Sequence, residues 1–218
     1  GFGFDQAYGL EVLRVFLYSL AGIVALNLVR VLMDKVILFK FKLEEEVVKG
    51  QNVGAGAAEF GMYVATGLMI AGAVSGGGAN SELDGALIAL AFFGLGLALL
   101  VIFALFYQFT TPYDIHSEIE GNNTAVGVAF GGNLVAIGLV TLKAVVGDFA
   151  GWGESIAAFV IFGVLGFVLL YVMRLLIDLL LLPNIRVSQA LASGRNTGVA
   201  LIESGVVISS ALILFLAI

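Results

Sequence analysis

GRNTGVALIESG, residues 194–205, sets Arg195, Asn196 and Glu203 at the head of the last apolar run of the chain. Two earlier stretches superpose on it without a gap, GQNVGAGAAEFG at 50–61 and GNNTAVGVAFGG at 121–132. Asn52, Asn123 and Asn196 coincide at spacings of 71 and 73 residues, each two positions after a glycine. Self-similarity at a fixed period marks a repeated structural unit. The match extends upstream, because LVRVLMDKVIL (28–38) aligns with VMRLLIDLLLL (172–182), placing Arg30 on Arg174 and Asp34 on Asp178; the middle copy has Val101 and Leu105 there.

What the unit is follows from composition. Of 218 residues, 61% are hydrophobic and 12% charged, with a mean hydropathy of +1.10, far from the roughly half-apolar, quarter-charged mix of a soluble domain. Crossing about 30 Å of hydrocarbon takes about 20 apolar residues. Six runs qualify, roughly 10–33, 53–75, 85–109, 124–146, 155–182 and 197–218. They are continuous, whereas a membrane barrel would alternate over segments of about 10 residues. The expected fold is therefore all-α: a polytopic membrane protein, residues 1–218 forming one membrane domain. Its six transmembrane helices form three parallel two-helix repeats, about 10–75, 85–146 and 155–218. Since each unit crosses twice, all three point the same way, about an axis along the membrane normal.

The basic residues orient the molecule. Lys35, Lys40, Lys42, Lys49, Arg186 and Arg195 flank the helices on the side of the repeated motif, against Arg14 and Lys143 on the other. The positive-inside rule places the motif loops in the cytoplasm and both termini outside. Outside termini are compatible with removal of a signal peptide before Gly1.

Within each motif the residue types carry distinct physics. An asparagine directly before a helix is a preferred N-cap, its side chain accepting from the unpaired N–H groups of the first turn. Asn52, Asn123 and Asn196 are read so. At 100° per residue, positions two, nine and thirteen after each Asn share a face: Gly54, Gly61 and Ala65, then Ala125, Gly132 and Ala136, then Gly198, Gly205 and Ser209. Small residues let membrane helices approach closely, so this face is expected to pack. The other face carries Gly56, Gly127 and Ala200 at position four and Glu59, Phe130 and Glu203 at position seven. Two units thus hold a carboxylate about 10 Å beyond the helix start. Intramembrane acids pair internally or line a water-filled path. Arg30 and Arg174 are the expected partners of Glu59 and Glu203; the i, i+4 pairs Arg30–Asp34 and Arg174–Asp178 are the competing arrangement. Asn27 and Asn133 are expected to hydrogen-bond between helices, and Lys143 to snorkel outward.

Several chemistries are excluded. With no cysteine and a single histidine, His116, the chain has no disulfide, thiolate site or histidine cluster. It contains no HExxH, Walker loop, nucleophile elbow or GxGxxG. The acids Glu44–Glu46 and Asp114, Glu118 and Glu120 read as solvated loop residues. A net charge of −6 without basic clusters argues against nucleic acid as a partner. No catalytic residue, metal or cofactor is assigned.

The stretches TPYDIHSEIEGNNTAVGVAFGGNLVAIGLV (111–140) and LPNIRVSQALASGRNTGVALIESGVVISSALIL (182–214) resemble the domain of unknown function 350 family, the YjfL-like bacterial membrane proteins. In that family a Pro-containing turn and an acidic stretch precede Gly-x-Asn and an Ala/Gly-rich helix. The resemblance implies a bacterial polytopic membrane protein, supplies no catalytic residue and argues against an enzyme. A typical member has two such units, and this chain a third in front. The leading expectation is a non-enzymatic membrane subunit that packs with the bilayer around it and with copies of itself or other membrane subunits. The alternative is a channel or transporter for a small cation or proton, with Glu59 and Glu203 along its path.

Overall fold

The computed structural model describes residues 6–38, 43–177, 179 and 186–217. Among these the secondary structure is helical throughout, with no strand. Six helices are long and apolar enough to span a membrane: α1 (Gln6–Leu32), α3 (Val53–Val74), α4 (Glu82–Thr110), α6 (Thr124–Val145), α7 (Trp152–Leu176) and α9 (Thr197–Ala217). In lipid only a helix satisfies its backbone within one segment, which is why uninterrupted apolar runs fold this way. Three short helices, α2 (Leu43–Val48), α5 (Ile115–Glu120) and α8 (Val187–Ala192), stand before α3, α6 and α9.

The first span does not run on smoothly into its loop. It widens into a π-helical turn, Met33–Ile37, and α2 begins only at Leu43. Asp178, expected beside Arg174, lies outside the described residues, as do Lys40 and Lys42.

The middle of the molecule is α6. Across its spanning stretch 78% of residues are buried, against 6% for the first span. It packs between α3 and α9, which flank it on opposite sides. α4 leans on both α3 and α6, α7 leans on both α6 and α9, and α1 packs chiefly on α3 alone. The core runs along this row: Ala58, Met62 and Met69 of α3 and Val207 and Ala211 of α9 enclose Ala129, Leu134 and Ile137 of α6.

Candidate functional site

Each of the three asparagines stands directly before a long helix. Asn52 Oδ1 accepts from Ala55 N at 2.9 Å, Asn123 Oδ1 from Val126 N at 3.3 Å and Asn196 Oδ1 from Val199 N at 3.1 Å. The other end of the amide does something the cap pattern alone does not reveal. Asn52 Nδ2 donates to Ile119 O of α5 (2.7 Å) and to Glu46 Oε2 (3.0 Å). Asn123 Nδ2 donates to Leu191 O and Ala192 O of α8 (3.0 Å each) and to Glu118 Oε2 (2.7 Å). Each buried amide thus ties its helix start to the short helix that precedes the next one. Asn52 and Asn123 are buried, whereas Asn196 is exposed and, among the described residues, its amide nitrogen donates to nothing.

The glycines show how closely the long helices approach. A Cβ added at Gly54 would meet Asn123 O at 2.8 Å, and one at Gly61 would collide with the backbone of Gly131. From the other side, Gly127 abuts Gly54, Gly131 abuts Ala57, and a Cβ at Gly138 would lie 2.9 Å from Ala65 Cβ. The α6–α9 contact has the same offset: Gly132 meets Ser204, whose Oγ donates across to Val128 O at 3.1 Å. Counted from the capping asparagine, position nine of one helix meets position eight of the next in both contacts. Ala125 is fully buried.

Gly198 and Gly205 differ. Both are exposed; Gly205 has nothing within 4 Å of where a Cβ would sit, and Gly198 only the Asn196 side chain of its own helix start. Among the described residues nothing packs against α9 at Gly205. Sequence reasoning also missed that Gly127, Gly131 and Gly138 form a second packing face. The spacing of glycines in α6 was the available signal: two faces of small residues on one helix leave room for two neighbours.

At position seven the helices differ in chemistry. Arg30 Nε lies 3.6 Å from Glu59 Oε1, which also accepts from the Tyr63 hydroxyl at 2.7 Å. Glu203 is 1% exposed, and Tyr107 Oη donates to its Oε1 at 3.4 Å. Arg174 reaches the same region by another route: its guanidinium sits 4.5 Å from the Tyr107 ring centroid, and it donates to Thr111 Oγ1 at 2.9 Å and Thr110 Oγ1 at 3.4 Å. Tyr107 therefore lies between cation and carboxylate, a placement the sequence comparison did not anticipate. Glu203 and Arg174 both line a cavity of about 280 Å³ with Thr110, Tyr171 and Ser188. Nearby, outside the spans, burial and then the Glu203 carboxylate raise the pKa of the Tyr113 hydroxyl, keeping it neutral. Phe130, the middle counterpart, is buried against Tyr107, ring centroids 5.8 Å apart.

Other polar residues turn out to be structural. Asn27 and Asn133 do not bridge helices: each donates to the carbonyl four residues back, Ile23 O at 2.8 Å and Ala129 O at 2.9 Å. That bond gives the amide a partner within its own helix. Lys143 sits over the rings of Phe162 and Phe215 at 6.0 and 5.8 Å. Asp114 caps α5 by accepting from His116 N at 3.0 Å. Buried His116 faces Asp114 Oδ1 through Nδ1 at 3.1 Å and Ile37 O through Nε2, clamping α5 to the end of the first span.

Comparison with known proteins places this geometry in a family without an assigned activity. The family model described as Domain of Unknown Function (DUF350) matches residues 5–74 and 81–218. A UPF0719 transmembrane protein of Aquifex aeolicus (strain VF5) is 25% identical over 214 residues, 97% of this chain and 78% of that protein. The UPF0719 inner membrane protein YjfL of Escherichia coli (strain K12) is 34% identical over 76 residues, 33% of this chain and 58% of its own length. No solved structure matches.

Proposed function

We propose, for a chain that belongs to the Domain of Unknown Function 350 family and is a membrane protein with six apolar helices, the role of a non-enzymatic subunit that packs into a larger assembly in the bacterial inner membrane. Three parallel two-helix units build it, each ending in an Asn-capped helix. The asparagine-capped ends face the cytoplasm, following the lysines and arginines that flank them, and both termini lie outside. The inner-membrane placement draws on the likeness to the inner membrane protein YjfL of E. coli.

One observation carries the reading: the small-residue face of α9 is uncovered. Gly198, Gly205 and Ser209 are exposed, although their counterparts on α3 and α6 are buried. Small residues offer lipid tails little to pack against and mark sites of helix approach in membranes. A monomer has no use for them. Light-scattering mass of the protein in detergent-free lipid particles tests this. The expected value is an integer multiple, above one, of 22.8 kDa once lipid is subtracted; 22.8 kDa itself would end the reading.

A second reading has its own observation, the buried Glu203 in a cavity shared with Arg174. An intramembrane carboxylate beside a cavity is a starting point for a cation or proton path. Proton or cation flux into reconstituted vesicles, lost on Glu59→Gln plus Glu203→Gln, would support it. Absence of flux in the wild type for every ion tried would remove it.

A further inference from the structure

We propose that the uncovered face of α9 binds the uncovered face of α3 on a second copy of this chain, head to tail, in the register that joins α3 to α6 and α6 to α9. The proposal rests on the subunit reading above and specifies its partner and its geometry.

The argument is continuity with two contacts already present in the chain. In each, position nine of one helix meets a small residue of the next, Gly61 against Gly131 of α6 and Gly132 against Ser204 of α9, and in the first contact position two, Gly54, meets Gly127 as well. The receiving positions, four and fifteen, are Gly127 and Gly138 on α6 and the fully buried Ala200 and Ala211 on α9. In this series the donor face of α9, Gly198, Gly205 and Ser209, is exposed. α3 begins it with its receiving face open: Gly56 and Gly67 have nothing within 4 Å of an added Cβ. The two free faces are therefore complementary halves of one contact, not two copies of the same surface.

Two independent features agree. α4 and α7 each rest on two capped helices, while α1 rests chiefly on α3; α9 of a neighbouring copy would supply the second. The amides of Asn52 and Asn123 each reach a carbonyl at the end of the following short helix. Asn196 Nδ2 reaches no short helix among the described residues, and α2 of the next copy, with Val48 70% exposed at its end, supplies the equivalent carbonyls. Phe60, where α6 and α9 have Gly131 and Ser204, is a large residue on the receiving face, as is Tyr63 at position eleven, where they have Leu134 and Val207. Phe60 falls opposite Gly205, which has no Cβ to oppose the ring, so the contact between copies is wider at this level than the contacts within a chain. A head-to-tail contact of this kind closes into a ring of two or more copies or extends as an array.

The absence of native cysteine makes the register directly testable. Two differently tagged variants, Ser209→Cys and Gly67→Cys, are co-expressed and oxidised in the membrane with copper phenanthroline. Their counterparts Ala65 and Gly138 bring Cβ positions to 2.9 Å, near disulfide range after slight relaxation. The expected result is a disulfide-linked species carrying both tags, absent when either variant is expressed alone. Gly198→Cys with Gly56→Cys repeats the test if one of the first variants is not produced. A multimeric mass with no mixed-tag product overturns the head-to-tail register while sparing the subunit reading. Self-linking by Ser209→Cys alone shows face-to-face pairing and also overturns it. A monomeric mass defeats both.

Discussion

At the residue scale, identical side chains do unequal work according to what surrounds them. Asn123 is fully buried and satisfies a helix start with its oxygen and two elements with its nitrogen; Asn196 makes the cap alone and is exposed. Losing an exposed cap costs about 1 kcal/mol, whereas orphaning buried backbone acceptors adds about 1–3 kcal/mol. Asn123→Ala is therefore expected to destabilise the protein more than Asn196→Ala by that margin, read as a difference in chemical unfolding midpoint of the single chain in a dissociating detergent. Equal midpoints would show that the ties to α8 contribute nothing. His116 is a second such clamp. Replacing it with Ala leaves Ile37 O and Asp114 without their imidazole contact and is expected to cost about 1–3 kcal/mol, seen as earlier proteolysis near the end of the first span. The pairing of Arg30 was not decidable from sequence, because Asp34 on its own helix and Glu59 across the bilayer interior are both within reach of a long guanidinium. The structure places Nε 3.6 Å from Glu59. Asn27 and Asn133 misled for a related reason: a bond to the carbonyl four residues back leaves no trace in composition or spacing.

At the element scale, the decisive variable is which glycine has a neighbour. The built Cβ of Gly131 falls against the Ala57 carbonyl of α3, and that of Gly56 falls in open space. Overpacking a tight contact costs about 1–3 kcal/mol, so Gly131→Val is expected to lower the unfolding temperature markedly in any state of the protein. Gly56→Val is expected to leave the fold of a single chain intact and to disturb only the contact with another copy, lowering mass without lowering secondary structure. If Gly131→Val proves as stable as wild type, the close approach of α3 and α6 is not as described. The six spans and the family were legible in the sequence, since both depend on local runs and short motifs. The faces were harder. Positions two and nine stood out because three aligned copies agree, but the receiving face was hidden by Phe60, which breaks the small-residue pattern at position eight. Periodicity assigns a residue to a face; it does not say which helix lies opposite.

At the scale of the whole molecule, the row α3, α6, α9 is regular in its interior, and among the described residues Gly56 and Gly67 of α3 and Gly205 of α9 face open space. Its centre is covered on both sides, while α1 and the outer face of α9 are exposed. Exposed apolar side chains are ordinary for a protein bathed in lipid, and alone they say nothing about partners. Exposed glycines set in a register that is filled twice elsewhere do. The most direct test compares the native mass of the wild type with that of Gly205→Leu in lipid particles. Leucine at this position faces lipid harmlessly in a monomer and collides with the next copy in an assembly. The account predicts a wild-type mass that is a multiple of 22.8 kDa and a fall toward 22.8 kDa for Gly205→Leu with helix content retained. A wild type that is already monomeric, or a variant whose mass matches a multimeric wild type, would contradict it.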